Sequence, residues 1–188
     1  MDETFSECEI YCNQLLRRKR GFPLYIPVPP ENLPGEYQEN GVAIGDVGRV
    51  TPEGLFDFLF NIYLPAHHPI NDNDVPEGFY PLPRYSSKDV VIIRHDPGTY
   101  VSTSSVHKFP GGDFVFSCGA PQGAVLALPC GAQLKKLENL ETVRAYAVTH
   151  AASWYKHIKG AKGRELDNGS LYLVTGCEKA GSWGMASF

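Results

Sequence analysis

The stretch from Gly41 to Asn71, GVAIGDVGRVTPEGLFDFLFNIYLPAHHPIN, constrains the fold of this chain more than any other. Val42, Ile44, Val47 and Val50 lead into Thr51-Pro52-Glu53-Gly54, and Leu55, Phe56, Phe58, Leu59, Phe60, Ile62, Tyr63 and Leu64 lead out. Proline presets φ at the second position of a turn and glycine relaxes the chain at the fourth, so two strands around a type I turn are expected. A helix capped by Thr51, with Pro52 in its first position, competes with the hairpin, because Leu55, Phe58, Leu59 and Ile62 would share one helical face. The hairpin is preferred: Gly54 would fall in the first helical turn, and Phe56, Phe58 and Phe60 alternate as a strand requires. Gly45-Asp46-Val47-Gly48 reads as a bulged strand or a close backbone approach rather than a phosphate loop. The whole segment is expected in the core, closed by Pro65 and Pro69.

The rest of the chain is organised around this segment. At 188 residues it can bury one proper core, with room for a terminal appendage. Hydrophobic residues at 43% and charged ones at 20% are those of a soluble globular protein, and 15 prolines with 19 glycines imply short elements joined by many turns. A net charge of −4 gives no electrostatic reason to expect nucleic acid or an anionic membrane as partner. No apolar run approaches the roughly 20 residues that span a bilayer, and the acidic start MDETFSECEIYC is unlike a secretory signal, so a cytoplasmic (intracellular) location is expected. Five widely spaced cysteines, Cys8, Cys12, Cys118, Cys130 and Cys177, suit reduced thiols better than a disulfide framework.

Residues 2–20 read as an amphipathic helix with Phe5, Cys8, Cys12, Leu15 and Leu16 along one stripe, bases at its end and Gly21 as a stop. Phe22 to Asn40 carries five prolines and reads as an extended strap on the core. Residues 65–89 form a long loop, which in a compact domain is uncommon and often functional. Strands are expected at Val90–Arg94, Thr99–Val106 and Asp113–Cys118, with a turn at Pro110-Gly111-Gly112, and Gly123–Pro129 continues as an apolar strand or buried loop. Residues 134–159 read as one long helix, with Leu137, Leu140, Val143, Ala147, Ala151, Trp154 and Ile158 at helical spacing. Ser170–Gly176 and Ser182–Phe188 read as two strands paired across a turn at Glu178–Gly181. The fold class expected is α+β, a mainly antiparallel sheet with the 134–159 helix packed on it. Its domains are a helical appendage over residues 1–20 and a single α+β domain over 21–188. The chain ends inside a strand, so C-terminal truncation of something longer is also expected.

No motif dictates a chemistry. His67 and His68 are adjacent in a proline-flanked loop, His95 and Asp96 end a strand, and no Cys-x-x-Cys or His-x-x-x-His pair supports a structural metal. Convergence of His67, His95 and Asp96 in space is the one route to a metal site, and neither metal nor other cofactor is expected. His67, His68, His95 and Asp96 are candidate binding residues. Cys118 and Cys130 each precede glycine; with a histidine from the 65–107 region, His95 or His67, either could serve as a nucleophile. Cys130 has the better position, just ahead of the expected helix. Asp46, Asp57 and Asp113 lie in or beside apolar runs, where acids are usually paired.

The phrases at 41–71, at 111–141 (GGDFVFSCGAPQGAVLALPCGAQLKKLENLE) and at 169–188 (GSLYLVTGCEKAGSWGMASF) resemble an uncharacterised family of proteins abundant in mushroom-forming fungi. The resemblance covers residues 20–188. It implies a fungal setting and an N-terminal position in longer, β-rich chains, and it brings no activity and no catalytic residue. It also implies variability at the position of Cys130 within its Leu-Pro-x-Gly-Ala phrase, which counts against a nucleophile there. The function expected is therefore a non-enzymatic binding or protein-interaction module, with a protein partner engaged through the N-terminal helix or the edge strand at Ser182–Phe188. A cysteine hydrolase or transferase is the alternative, and a membrane-active or pore-forming domain a weaker one.

Overall fold

A computed structural model of the chain describes residues 5–188. Among the described residues three α-helices, α1 (Glu7–Leu16), α2 (Gly35–Asn40) and α3 (Glu141–Lys156), are joined by eleven strands. These are β1 (Asp46–Val50), β2 (Phe56–Asn61), β3 (Val90–His95), β4 (Thr99–Ser102), β5 (Val106–Lys108), β6 (Phe116–Cys118), β7 (Ala124–Leu128), β8 (Ala132–Leu137), β9 (Leu171–Leu173), β10 (Gly176–Lys179) and β11 (Gly184–Ser187). They form four small sheets, of order β2-β1-β9, β10-β8-β3, β11-β7-β4 and β5-β6. The class is α+β. The described residues form two compact units, one from residues 5–25, 92–134 and 178–188, the other from residues 26–91 and 135–177.

The second unit contains the hairpin expected from sequence. β1 and β2 pair antiparallel around Thr51-Pro52-Glu53-Gly54, where Gly54 N–H donates to Thr51 O at 2.9 Å and Gly54 takes φ of 80°. The competing helix does not form. The register slips between Val47 and Gly48, so the bulge is real, and it depends on glycine: a Cβ at Gly48 would stand 2.6 Å from the Asp57 carbonyl oxygen. Val47, Leu59, Phe60 and Ile62 pack with Leu137, Val143, Trp154 and Ile158 in one core, and the rings of Phe60 and Trp154 meet edge to face at 5.6 Å. Thus α3 packs on the β1-β2-β9 sheet.

A buried polar network pins this hairpin. Asp46, 1% exposed, accepts from Tyr37 Oη (2.9 Å), Ala43 N (2.7 Å) and Asn61 Nδ2 (2.7 Å). Asn71, equally buried, accepts from Asn61 N at 2.7 Å and donates to the carbonyls of Asn61, Leu64 and Pro65, tying the start of the long loop to the end of β2. Asp57 is paired as well, with Arg49 Nε at 2.9 Å and Arg164 at 2.6 Å.

Several expectations need correction. Residues 132–137 are strand, so the helix expected over 134–159 starts only at Glu141, and a π-helical turn at His157–Ala161 closes it. The leucines at 134, 137 and 140 fit a helix locally, but sheet pairing of the backbone outweighs that weak propensity. β11 does not pair with the 170–176 strand. It pairs with β7, while β9 pairs with β1, because the expected turn residues Glu178 and Lys179 belong to β10. The turn at 110–112 joins β5 to β6, and β4 pairs instead with β7. The strap contains a short helix, α2, whose Tyr37 is buried. In the N-terminal helix Tyr11 and Leu15 pack with Ala124, Val101, Leu126 and Met185 in the core of the first unit, whereas Phe5 and Leu16 of the expected stripe are exposed. Residues 2–4 of the expected helix lie outside the described residues.

Replacement of Asn71 by alanine leaves the buried Asn61 N–H without an acceptor. It is expected to cost about 2–4 kcal/mol, read as a lowered urea midpoint. Alkali should also destabilise the fold. Burial raises the phenols of Tyr11, Tyr37 and Tyr63, the last to about 12. Below pH of about 10 folded and unfolded tyrosines are both protonated and the stability is intact; above it the unfolded chain ionises first, so stability falls as pH rises from about 10 through about 12. Urea midpoints measured across that range should decline.

Candidate functional site

The strand β11 forms the rim of a groove of about 430 Å³ lined by Glu7, Tyr25 and residues 183–187. The segment SWGMAS alternates Trp183, Met185 and Ser187 on one side with small residues on the other, a strand pattern with room for close pairing. Gly123 and Phe188 exchange both main-chain hydrogen bonds, at 3.2 and 2.9 Å. In an antiparallel ladder such pairs alternate, so Ala186 and Gly184 also bond to β7, and the N–H and C=O groups of Met185 and Ser187 point away from it. Among the described residues no strand pairs with that outer side.

The opposite wall comes from α1 and the chain just after it. Ser6 caps α1, accepting from Glu9 N, while the Glu9 carboxylate accepts from Ser6 N at 2.7 Å. This capping box commits Glu9 and fixes the first turn that carries Glu7. Tyr25 stacks edge to face on Tyr11 at 5.7 Å, and its hydroxyl donates to Glu7 Oε2 at 3.0 Å. That bond raises the Tyr25 pKa and keeps the phenol protonated. Met185 packs into the core below, and Trp183 is 40% exposed at the mouth. The groove thus offers two aromatic rings, one carboxylate and a row of outward main-chain groups. A second groove, of about 390 Å³, follows the outer face of α1 past Phe5, Ile10, Leu16 and Arg17 to Gln122. The apolar strand β3 also ends a sheet, with Val91, Ile92 and Ile93 exposed, but neither groove borders it.

The residues singled out from sequence are placed differently. His67 and His68 lie in the long loop of the second unit, where His67 is exposed and His68 Nδ1 accepts from Ile70 N at 3.2 Å. His95, Asp96, Cys118 and Cys130 belong to the first unit. The turn after β3 and the turn after β7 are adjacent: Gly98 N–H donates to the carbonyls of Leu128 and Pro129, and a Cβ at Gly131 would meet the His95 carbonyl oxygen. His95, Asp96 and Cys130 are thereby brought to neighbouring turns. The His95 imidazole is engaged elsewhere, with Nε2 buried 3.3 Å from Glu178 Oε1, and the same carboxylate pairs with Arg20. Cys130 and Asp96 are exposed. Cys118 Sγ contacts the Ala120 carbonyl at 3.3 Å and Ser105 Oγ at 3.7 Å. Burial pushes the Cys12 thiol up to about 12, with Cys8 Sγ 4.0 Å away. No group of three His, Cys, Asp or Glu side chains that could hold a metal ion occurs among the described residues.

Two clusters went unseen in the sequence. His157 Nε2 is 3.2 Å from Asp74 Oδ1, and Lys162 reaches the other oxygen of that carboxylate. Glu7, Tyr25 and Trp183 are the other case; the one local signal for them is a tryptophan beside a glycine at the mouth of a strand. No family model, curated protein or solved structure matches the chain, and no helix among the described residues is long and apolar enough to cross a membrane.

Proposed function

We propose that the chain is a non-enzymatic binding module that accepts an extended peptide as an added strand beside β11, in an intracellular setting consistent with five cysteines that form no disulfide. The observation that carries this reading is the outer side of β11: main-chain groups of Met185 and Ser187 directed away from β7, beside a groove that can receive alternate side chains of the ligand. A peptide docking there would gain main-chain hydrogen bonds from the edge and contact area from Trp183 and Tyr25. The resemblance to longer fungal chains is compatible with such a module and supplies no ligand.

Ser187→Pro removes one outward N–H and leaves the bonds of Gly184 and Ala186 to β7 and of Phe188 to Gly123 in place. Peptides selected from a displayed random decapeptide library on the intact chain are expected to bind this variant at least about tenfold more weakly, with its thermal melt close to that of the parent. Unchanged affinity of every selected peptide would place binding elsewhere.

A cysteine hydrolase or transferase at Cys130 draws its support from the adjacency of the Cys130 turn to the His95–Gly98 turn. It requires Cys130 to react with iodoacetamide at neutral pH faster than a free model thiol. Labelling no faster than the model removes it.

A further inference from the structure

The geometry points to a ligand peptide with a basic side chain, lysine, methylated lysine or arginine, seated between Tyr25 and Trp183 with its cation against Glu7; this rests on the peptide-binding reading of the β11 edge. The groove pairs two aromatic rings with a carboxylate and an apolar floor. A cation over an aromatic face is attracted by the ring quadrupole, and a long aliphatic stem can lie on Met185. Glu7 is exposed and uses Oε2 for the Tyr25 hydroxyl, which holds the carboxylate in place and leaves its second oxygen for a ligand. The N-terminus of α1 carries a partial positive charge that opposes a cation. The full charges of Glu7 and Glu9 in that first turn outweigh it, and Glu9 is committed to the cap. An acidic ligand residue would face Glu7 unpaired. The net charge of −4 acts in the same direction at long range.

The test uses peptides selected from the displayed random decapeptide library on the intact chain. Enriched sequences are expected to share one lysine or arginine, and synthetic versions with norleucine at that position should bind at least about tenfold more weakly. Lysine, trimethyl-lysine and arginine versions separate the three cations: trimethyl-lysine gains if the rings dominate, arginine if the carboxylate does. Glu7→Gln should weaken the basic peptides severalfold and leave the norleucine versions unchanged, which loss of fold would not do. If norleucine binds as well as lysine while Ser187→Pro still weakens binding, the cationic pocket is overturned and the added strand stands. If Ser187→Pro changes nothing, or the library yields no binder, the peptide reading falls and this inference with it.

Discussion

Main-chain hydrogen bonding at sheet edges is the constraint on which this structure turns. The eleven strands among the described residues are divided among sheets of two or three, so eight of them are edges with one row of N–H and C=O groups to satisfy or expose. The chain manages these edges with short strands and prolines. Ile26, within the proline strap, bridges to Leu55 at the start of β2 and donates to Gly54 O at 3.1 Å. β11 is handled differently: its inner side is sealed against β7 to the last residue, and its outer side borders a groove.

In the second unit the same accounting is solved by side chains. Asp46 gathers a phenol, an amide and a main-chain donor, and Asn71 closes four main-chain groups where β2 gives way to the long loop. A carboxylate this buried is tolerated because its acceptor capacity is filled. Gly48 allows the bulge beside it, and Asp57, held between Arg49 and Arg164, fixes the far end of the hairpin. Both acids were legible as paired from their apolar surroundings; their partners, as far off as Arg164, were not.

That contrast runs through the molecule. The hairpin was legible because Thr-Pro-Glu-Gly fixes a turn by local sterics, and the α+β class followed from the alternating runs and one strong helical period. The segment at 132–137 was not, since its leucines fit both periods and the choice is made by strands distant in sequence. The partner of β11 is not legible for the same reason: a run such as SWGMASF specifies a strand but not its neighbour. Of the candidate site, the edge strand was visible and its wall was not, because Glu7 and Tyr25 meet Trp183 only after α1 docks through Tyr11 and Leu15. His95, at a strand end, lies with Nε2 3.3 Å from Glu178 Oε1, a contact that no local pattern announces.

Residue-resolved amide hydrogen exchange along β11 tests the open edge most directly. In the free chain the account predicts slow exchange at Ala186, whose N–H bonds to β7, and fast exchange at Met185 and Ser187; a bound peptide should slow those two and leave Ala186 unchanged. Equal protection of all three in the free chain, or no response at Met185 and Ser187 to a bound peptide, would contradict it.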